Sequence, residues 1–309
     1  MNKKKILVSV IIPTHNRVNM LVRAVKSVLN QTFKNFELII VDDASEEKEA
    51  TKKTIKELKD KRIRYYYKTR EPHNSSSTRN EGIKLAKGEF IAFLDDDDEW
   101  LPKKLEKQLD FFKKDPEIVL VYTRKYFIKD NKLTLKKDVN SNVFGRVSLR
   151  DLAFSEITPS TVMIRKRCIS ECGFFDENLD CAGDREFWIR ISRCGRIGFS
   201  PEYLIKYHIH KSPNTSSNNK KKIISEKYFI NKYFKVLKRE GLLGVYTYRL
   251  GSLYFKDKDF KKANSCFLRV IKLNPFFLRA YLYFFINILL FLFKICQERK
   301  KINTISFIT

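Results

Sequence analysis

Glycine and cysteine are scarce in this 309-residue chain, at 10 and 6 residues. No Gly-x-Gly-x-x-Gly follows the first apolar run, and no Gly-x-x-x-x-Gly-Lys-Ser/Thr occurs anywhere. The two commonest loops that cradle phosphates with backbone amides are thereby excluded. The cysteines (Cys168, Cys172, Cys181, Cys194, Cys266, Cys296) are too few and too scattered for a disulfide scaffold at this length. Four fall within 168–194, but without paired Cys-x-x-Cys spacing, which favours free thiols in a reducing compartment over zinc. Lys3-Lys4-Lys5 before Ile6-Leu7-Val8 hints at a leader. The apolar stretch ends at Pro13-Thr14-His15-Asn16 with no small-residue cleavage site, so no signal peptide is expected.

Acidic residues are also in deficit: 36 Asp and Glu against 62 Lys and Arg, a net charge of +26. Such an excess implies anionic partners: nucleic acid, phosphorylated substrates or an anionic membrane face. Residues 220–309 hold 20 Lys/Arg against 5 Asp/Glu, so the tail is more basic per residue than the body. A nucleic-acid binder would interleave basic and aromatic residues on one face. Here the aromatics lie in strand-like runs and in an apolar tail, which argues against that class. With 43% hydrophobic content, 25 Phe and 14 Tyr, the chain can build a packed core.

The few acids are concentrated. Glu89-Phe-Ile-Ala-Phe-Leu-Asp95-Asp96-Asp97-Asp98-Glu99-Trp100 joins a short apolar run to five consecutive carboxylates. The apolar part, Phe90–Leu94, reads as a buried strand. Crowded carboxylates raise each other's pKa unless a cation joins them. Mg²⁺ or Mn²⁺ shared with substrate phosphates is the usual partner, and a solvated acidic turn is the plainer alternative.

Strand and helix signals alternate around this stretch. Ile6–Ile12, Phe36–Val41 and Ile63–Tyr67 read as strands. Leu21, Val22, Val25, Val28 and Leu29 recur at helical spacing, residues 46–60 favour helix, and Leu101–Lys113 reads as helix. Ser75–Thr78 offer N-caps for a helix to about Lys87, with Gly88 as its C-terminal stop. The alternation predicts an α/β fold: a mostly parallel sheet flanked by helices, whose ligand site lies beyond the carboxyl ends of the strands. Pro13–Asn16, Asp42-Asp43 and Asp95–Asp98 all fall at that edge. The expected site is acidic although the protein is basic.

These segments carry a resemblance. Val8-Ser-Val-Ile-Ile-Pro-Thr-His-Asn-Arg17, Ile39-Ile-Val-Asp-Asp-Ala-Ser45, Arg79-Asn-Glu-Gly-Ile83, Ala86-Lys-Gly-Glu-Phe90 and Phe93-Leu-Asp-Asp-Asp-Asp98 resemble glycosyltransferase family 2. Pro159–Arg165, Gly173–Glu177 and Gly183–Arg190 continue the match, which covers about residues 6–215. The resemblance implies the Rossmann-like GT-A fold and an inverting, metal-dependent transfer of sugar from a nucleotide-diphosphate donor, a UDP-sugar most commonly. Pro13, Thr14, Asn16 and Arg17, with Asp42 or Asp43, then correspond to the grip on base and ribose.

Asp95-x-Asp97 resembles the family's Asp-x-Asp motif. It implies Asp97 as ligand to Mg²⁺ or Mn²⁺, with Asp95 or Asp96 nearer the ribose. Arg79 would lie beside the diphosphate or form a helix-surface salt bridge. His210 aligns with a family histidine near the metal; His208 has the weaker claim, and His15 and His73 are read as solvated. Asp184 resembles the catalytic base, a role compatible with a helix N-cap before Phe187, Trp188 and Ile191. Many relatives read Glu-Asp where this chain has Gly183-Asp184, which leaves the acceptor contacts open.

Ser212–Asn219 is linker-like, and beyond it lies a smaller all-α region, 216–309, following a catalytic domain over 1–215. Leu250-Gly251, Tyr254, Ala263, Phe267 and Pro275 fall at tetratricopeptide spacing, one repeat over about 244–277. Ala280–Phe293 is uncharged for fourteen residues, short of the roughly 20 needed to span a bilayer. Followed by Lys294, Arg299, Lys300 and Lys301, it predicts a membrane-surface helix over about 280–296, with core burial as the alternative. The expected partners are a nucleotide-diphosphate sugar, a cell-surface polysaccharide or lipid-linked glycan acceptor, and an anionic membrane. The expected location is cytoplasmic, peripheral on the inner face of the cell membrane. A basic nucleic-acid-binding protein and a non-catalytic scaffold are the competing classes.

Overall fold

The computed structural model describes residues 7–130, 132–134, 143–153, 155–210 and 218–290. The basic start with Ile6, linker residues 211–217, and 291–309, including the end of the expected 280–296 helix, lie outside the described residues. The chain divides into two compact units, Met1–Ser212 and Pro213–Thr309.

The first unit is built on a nine-stranded mixed sheet. Its strands are Val8–Thr14 (β1), Phe36–Asp43 (β2), Ile63–Lys68 (β3), Phe90–Phe93 (β4), Glu99–Trp100 (β5), Ile118–Lys129 (β6), Lys132–Thr134 (β7), Met163–Arg165 (β8) and Arg196–Ile209 (β9). The order is β3-β2-β1-β4-β8-β6-β9-β5, with β7 on β6. Strands β1–β4, β6 and β9 run in one sense and β5, β7 and β8 in the other.

The central strands are apolar on both faces because helices cover both faces. Val8, Val10, Ile12, Leu38 and Ile40 pack with Leu21, Val25 and Val28 of Val18–Leu29 (α1). Ile55 of Lys48–Glu57 (α2), and Leu105, Leu109 and Phe112 of Lys104–Lys114 (α4), complete that layer. On the other face lies Ser75–Leu85 (α3), held so close that a Cβ on Gly82 would come 2.4 Å from Ile11. Leu149–Ala153 (α5), Cys168–Cys172 (α6) and Gly183–Ile191 (α7) follow.

Two expectations are corrected here. Helix α3 ends at Leu85, with Ala86 already extended, so Gly88 is not its stop. Gly88 is required by close approach: a Cβ there would lie 2.6 Å from the Ser9 nitrogen. Its N–H donates to Ser9 Oγ, which itself donates to buried Glu37. Helix α4 begins at Lys104 rather than Leu101, because Glu99-Trp100 pairs with β9 and the Leu101 N–H donates to Leu204 O.

The second unit is helical: Asn219–Lys232 (α8), Phe234–Arg239 (α9), Leu243–Lys256 (α10), Phe260–Leu273 (α11) and a helix over 278–290 (α12). Tyr254, Ala263, Phe267 and Ile223 form its core cluster. No helix among the described residues is long and apolar enough to cross a membrane.

Gly88→Ala is expected to cost about 1–3 kcal/mol, the range for overpacking, because the methyl meets backbone rather than a side chain that can turn away. Urea denaturation measures it, and an unchanged midpoint would show that β1 and residue 88 are not this close.

Candidate active site

The strand order reverses between β1 and β4, since β1 is followed by β2 on one side and reaches β4 only after β3. Ligands of α/β sheets bind at such a switch point, beyond the carboxyl ends of the strands. The acidic run sits there. Thr14, the last residue of β1, donates its hydroxyl to Asp96 Oδ2 across the crevice at 2.8 Å. Arg17, at the start of α1, directs one guanidinium nitrogen to Asp96 Oδ1 at 3.1 Å and Asp97 Oδ2 at 3.0 Å. Strand β9 runs parallel to β6 and delivers its end to the same edge. The His208 N–H donates to Asp98 Oδ1 at 3.2 Å, and His210 Nε2 lies 2.9 Å from Asp97 Oδ2.

Each acid of the run has its own surroundings. Asp95 pairs with Arg79 at 2.5 Å; Arg79 is buried, so the helix-surface salt bridge is ruled out. Asp98 is fully buried and accepts the Ser160 hydroxyl at 2.5 Å, while Ser160 Oγ accepts the Asp95 N–H at 3.1 Å. One serine therefore ties the first acid to the last. Burial pushes Asp95 above the usual carboxylate range; Arg79 opposes this, and Asp97 and Asp184 add to it. Burial, then Asp97, lifts Asp96 to about 6 against Arg17 and Thr14. Asp98 is raised well above the ordinary range by burial and by Asp97 and Asp95.

The second acidic pair ends β2. Asp42 is fully buried with both oxygens engaged, by the Ser45 N–H at 2.9 Å and the Tyr65 hydroxyl at 2.5 Å. Asp43 Oδ1 accepts from Lys68 Nζ at 2.7 Å and lies 2.7 Å from His73 Nδ1. The neighbouring turn is locked into it. His15 Nδ1 is 2.7 Å from the Asp43 carbonyl, the Asn16 N–H donates to Ser45 Oγ, and Asn16 Oδ1 accepts the Glu46 N–H. Asn16 and Ala44 both hold positive φ, 53° and 58°. Asn tolerates that region better than most side chains.

Asp184 arrives by packing. Trp188 of α7 lies 6.0 Å from Phe93, the last residue of β4, and its indole N–H donates to Ile157 O. Phe187 and Phe175 complete this aromatic cluster. Asp184 is one helical turn before Trp188 and Asp95 two residues after Phe93, so one ring contact brings both acids to the rim. Asp184 is not the N-cap: that position is Ala182, at φ 61°, and Asp184 sits in the first turn. A carboxylate there is favoured by the helix dipole. At Gly183 a Cβ would lie 2.6 Å from Ser76 Oγ, so the family's glutamate would have to displace Ser76.

Several participants escaped the sequence reading. Lys68 closes β3 in register with Asp43, a placement only the strand pairing reveals. His15 and His73, read as merely solvated, both hydrogen-bond to Asp43. His208 Nε2 lies 2.7 Å from Glu99, and the Arg23 guanidinium donates to Asp97 O at 2.7 Å. Burial raises the Tyr207 phenol above its ordinary value, and the charges of Asp98, Asp95, Asp97 and Asp184 add to the rise.

Among the described residues no group of three or more His, Cys, Asp or Glu side chains is arranged to hold a metal unaided. Asp97 and His210 nevertheless fit a hard divalent cation that takes its remaining ligands from a diphosphate and water, the usual habit of Mg²⁺ sites. Arg17 is the built-in cation at the same carboxylate.

The crossing order, the acidic rim and the α/β layering define a GT-A fold. Residues 9–173 match the model of glycosyl transferase family 2, and the chain belongs to that family. It is 34% identical over 271 residues to the uncharacterized glycosyltransferase RC0461 of Rickettsia conorii, covering 85% of this chain and 44% of that protein. To MJ1057 of Methanocaldococcus jannaschii, also an uncharacterized glycosyltransferase, it is 33% identical, covering 75% and 80%. To the Escherichia coli UDP-Glc:alpha-D-GlcNAc-diphosphoundecaprenol beta-1,3-glucosyltransferase WfaP it is 29% identical, covering 71% and 84%. The chain spans less than half the length of RC0461.

The fold is shared with S. aureus TarS in complex with UDP (TM-score 0.63, 18% identity, 91% of this chain and 88% of that one). It is shared too with the mannosyltransferase PcManGT of Pyrobaculum calidifontis in complex with GDP-Man and Mn²⁺ (TM-score 0.58, 15% identity, 86% and 75%).

In the protein without metal or nucleotide, Asp96 binds protons more tightly folded than unfolded, because its pKa is about 6 rather than the ordinary 3.8. The contribution of Asp96 to stability must then be lost as pH rises from about 4 through 6, by about 3 kcal/mol in all, and stay lost above that range. Asp96→Asn removes that loss and keeps one acceptor oxygen for Arg17, while its amide N–H can donate to the Thr14 hydroxyl oxygen. It should be the more stable protein at pH 8, with the gap closing toward pH 4. Urea titrations across this range test it; a less stable variant at pH 8 would contradict the assignment.

Proposed function

We propose that this chain is an inverting, metal-dependent glycosyltransferase that moves a sugar from a UDP-sugar to a hydroxyl of a cell-surface polysaccharide or lipid-linked glycan. It works peripherally at the anionic inner face of the cell membrane. The carrying observation is the meeting, at one strand edge, of Asp97 with Arg17 and His210, with Asp184 one helical turn before the Trp188 ring that packs on Phe93. The UDP bound by TarS and the donor and lipid-linked acceptor in WfaP's name support the choice of substrates.

Asp43 takes the base or ribose, because Asp42 is spent inside the fold. Lys68 and His73 hold the Asp43 carboxylate as an acceptor for an N–H or O–H of the donor. Pro13, Thr14 and Asn16 form the wall beside it. Asp95 and Asp96 lie toward the ribose, and Arg17 and Arg79 add positive charge along the diphosphate. Asp97 and His210 would hold Mg²⁺ or Mn²⁺, as Mn²⁺ accompanies GDP-Man in PcManGT, and the ion supplies charge neutralisation for the departing diphosphate. Asp184 takes the proton from the acceptor hydroxyl as that oxygen attacks the anomeric carbon from the face opposite the leaving group. The Tyr207 phenol, neutral in any case and raised further by burial and then by the nearby acids, is a donor available to the acceptor.

Asp184→Asn should lower UDP release from the productive UDP-sugar by about 10²–10⁴-fold, the usual worth of a general base, while Mn²⁺-dependent binding of UDP persists. A donor panel read by UDP release, with a thermal-shift control for binding, measures both. Equal turnover by wild type and variant would remove Asp184 from the role. His210→Ala, in contrast, should raise the Mn²⁺ concentration needed for half-maximal turnover by about 10–100-fold; an unchanged requirement would take His210 out of the metal's surroundings.

A further inference from the structure

Helix α12 in the second unit is amphipathic the wrong way round for a protein in water. Its inner side is fixed to the unit. Ala280 and Asn287 are fully buried, and Tyr283 and Phe284 join the cluster around Phe267. The Asn287 amide donates to Phe260 O at 2.8 Å and to Asn264 Oδ1 at 2.5 Å, both on α11 or at its start. Its outer side carries Leu278, Leu282, Phe285 and Leu289, spaced at i, i+4, i+7 and i+11, which is one stripe of a helix. These four are 78, 57, 60 and 67% exposed, and Ile286 and Leu290 flank them. Phe276, in the turn before α12, is 90% exposed. A continuous apolar patch of this kind marks a partner or a membrane rather than a bare surface.

The charge around the patch decides between occupants. From Phe260 to Leu290 there is no acidic residue, while Lys261, Arg269, Lys272 and Arg279 are all exposed; Lys262 is exposed too but paired with Asp259, just before the range. A second copy of the chain laid on the same face would set cations against cations, the arrangement a self-complementary interface cannot relieve. An anionic lipid surface satisfies both features at once: acyl chains take the leucine and phenylalanine stripe, and headgroups take the cations.

We propose that the outer face of α12, extended by Phe276 and the exposed end of α11, is the surface by which this protein lies on an anionic membrane. Insertion is shallow, because Asn287 and Ala280 keep the opposite face of the helix bound to α11. The membrane named in the proposed function thereby gains a specific contact, and the inference rests on that reading only for its purpose. The contact itself is measured without donor or acceptor, so either statement can fail alone.

The test is co-sedimentation of the full chain with vesicles of phosphatidylcholine mixed with phosphatidylglycerol, against phosphatidylcholine alone. Binding is expected to the mixed vesicles, weakening as salt is raised. The double variant Leu282→Glu/Phe285→Glu alters only exposed positions, so it should fold as wild type does. It should partition about a hundredfold more weakly. Trp100 and Trp188 are both buried, so Phe285→Trp adds the one exposed indole among the described residues. Its emission should shift to the blue on mixed vesicles and be quenched by brominated acyl chains. Equal binding to neutral vesicles, no binding at all, or binding unaffected by the double variant would each overturn the proposal. So would a wild-type dimer in sedimentation equilibrium that the double variant abolishes, since the patch would then belong to a second copy.

Discussion

Four consecutive carboxylates crowded at the end of a buried strand, Asp96 and Asp98 buried and Asp95 and Asp97 half-buried, are the constraint on which the rest of this structure depends. Such groups cannot all stay charged without help. The fold answers with a ring of donors drawn from distant parts of the sequence: Thr14 and Arg17 from the first crossover, Arg79 from α3, Ser160 before β8, and His208 and His210 from the end of β9. The help is incomplete, since Asp95, Asp96 and Asp98 all remain above the ordinary carboxylate range. That residual imbalance leaves the rim receptive to one more positive charge, which in the proposed function is a divalent ion arriving with a diphosphate.

The sheet explains why those donors can meet. Because β1, β2, β4 and β9 run in the same sense, their carboxyl ends share one edge, and residues far apart in sequence become neighbours there. The opposite edge is closed differently. Buried Glu37 is bound by the Ser9 hydroxyl, the Lys87 N–H and Arg64. Burial tends to raise Glu37, yet these bonds bring it below the ordinary value. The two edges thus treat carboxylates in opposite ways: one satisfies its acid and gains rigidity, the other leaves its acids short and gains a site.

Much of this was legible in the residues. The β-branched runs of β1 and β2, the helical spacing in α1 and the abrupt end of β4 in acids all announce themselves locally. The α/β alternation then places Thr14, Asp43 and Asp97 at one rim by connectivity alone. What stayed hidden depends on pairings with no local signature. Glu99-Trp100 looked like the approach to a helix and became a strand because β9 returns beside it. Lys68 lies just past the expected strand Ile63–Tyr67, and only register sets it against Asp43. Gly88 was legible as a glycine that mattered, but for the wrong reason, since the close approach of Ser9 is a tertiary fact. The exposed stripe of α12 could be read as apolar, yet which side the unit covers is decided by Asn287 and Ala280.

The excess positive charge and the acidic rim are not in conflict. A net charge of +26 draws polyanions toward the whole surface, whereas the acids act over a few ångströms, and in the proposed function they take an anion through a bridging cation. Calorimetric titration of UDP into the protein with and without Mn²⁺ probes that bridge. Binding is expected to be tight with Mn²⁺ and at least about tenfold weaker in chelator, a difference that Asp97→Asn erases. UDP binding of equal strength in chelator and in Mn²⁺ would contradict it.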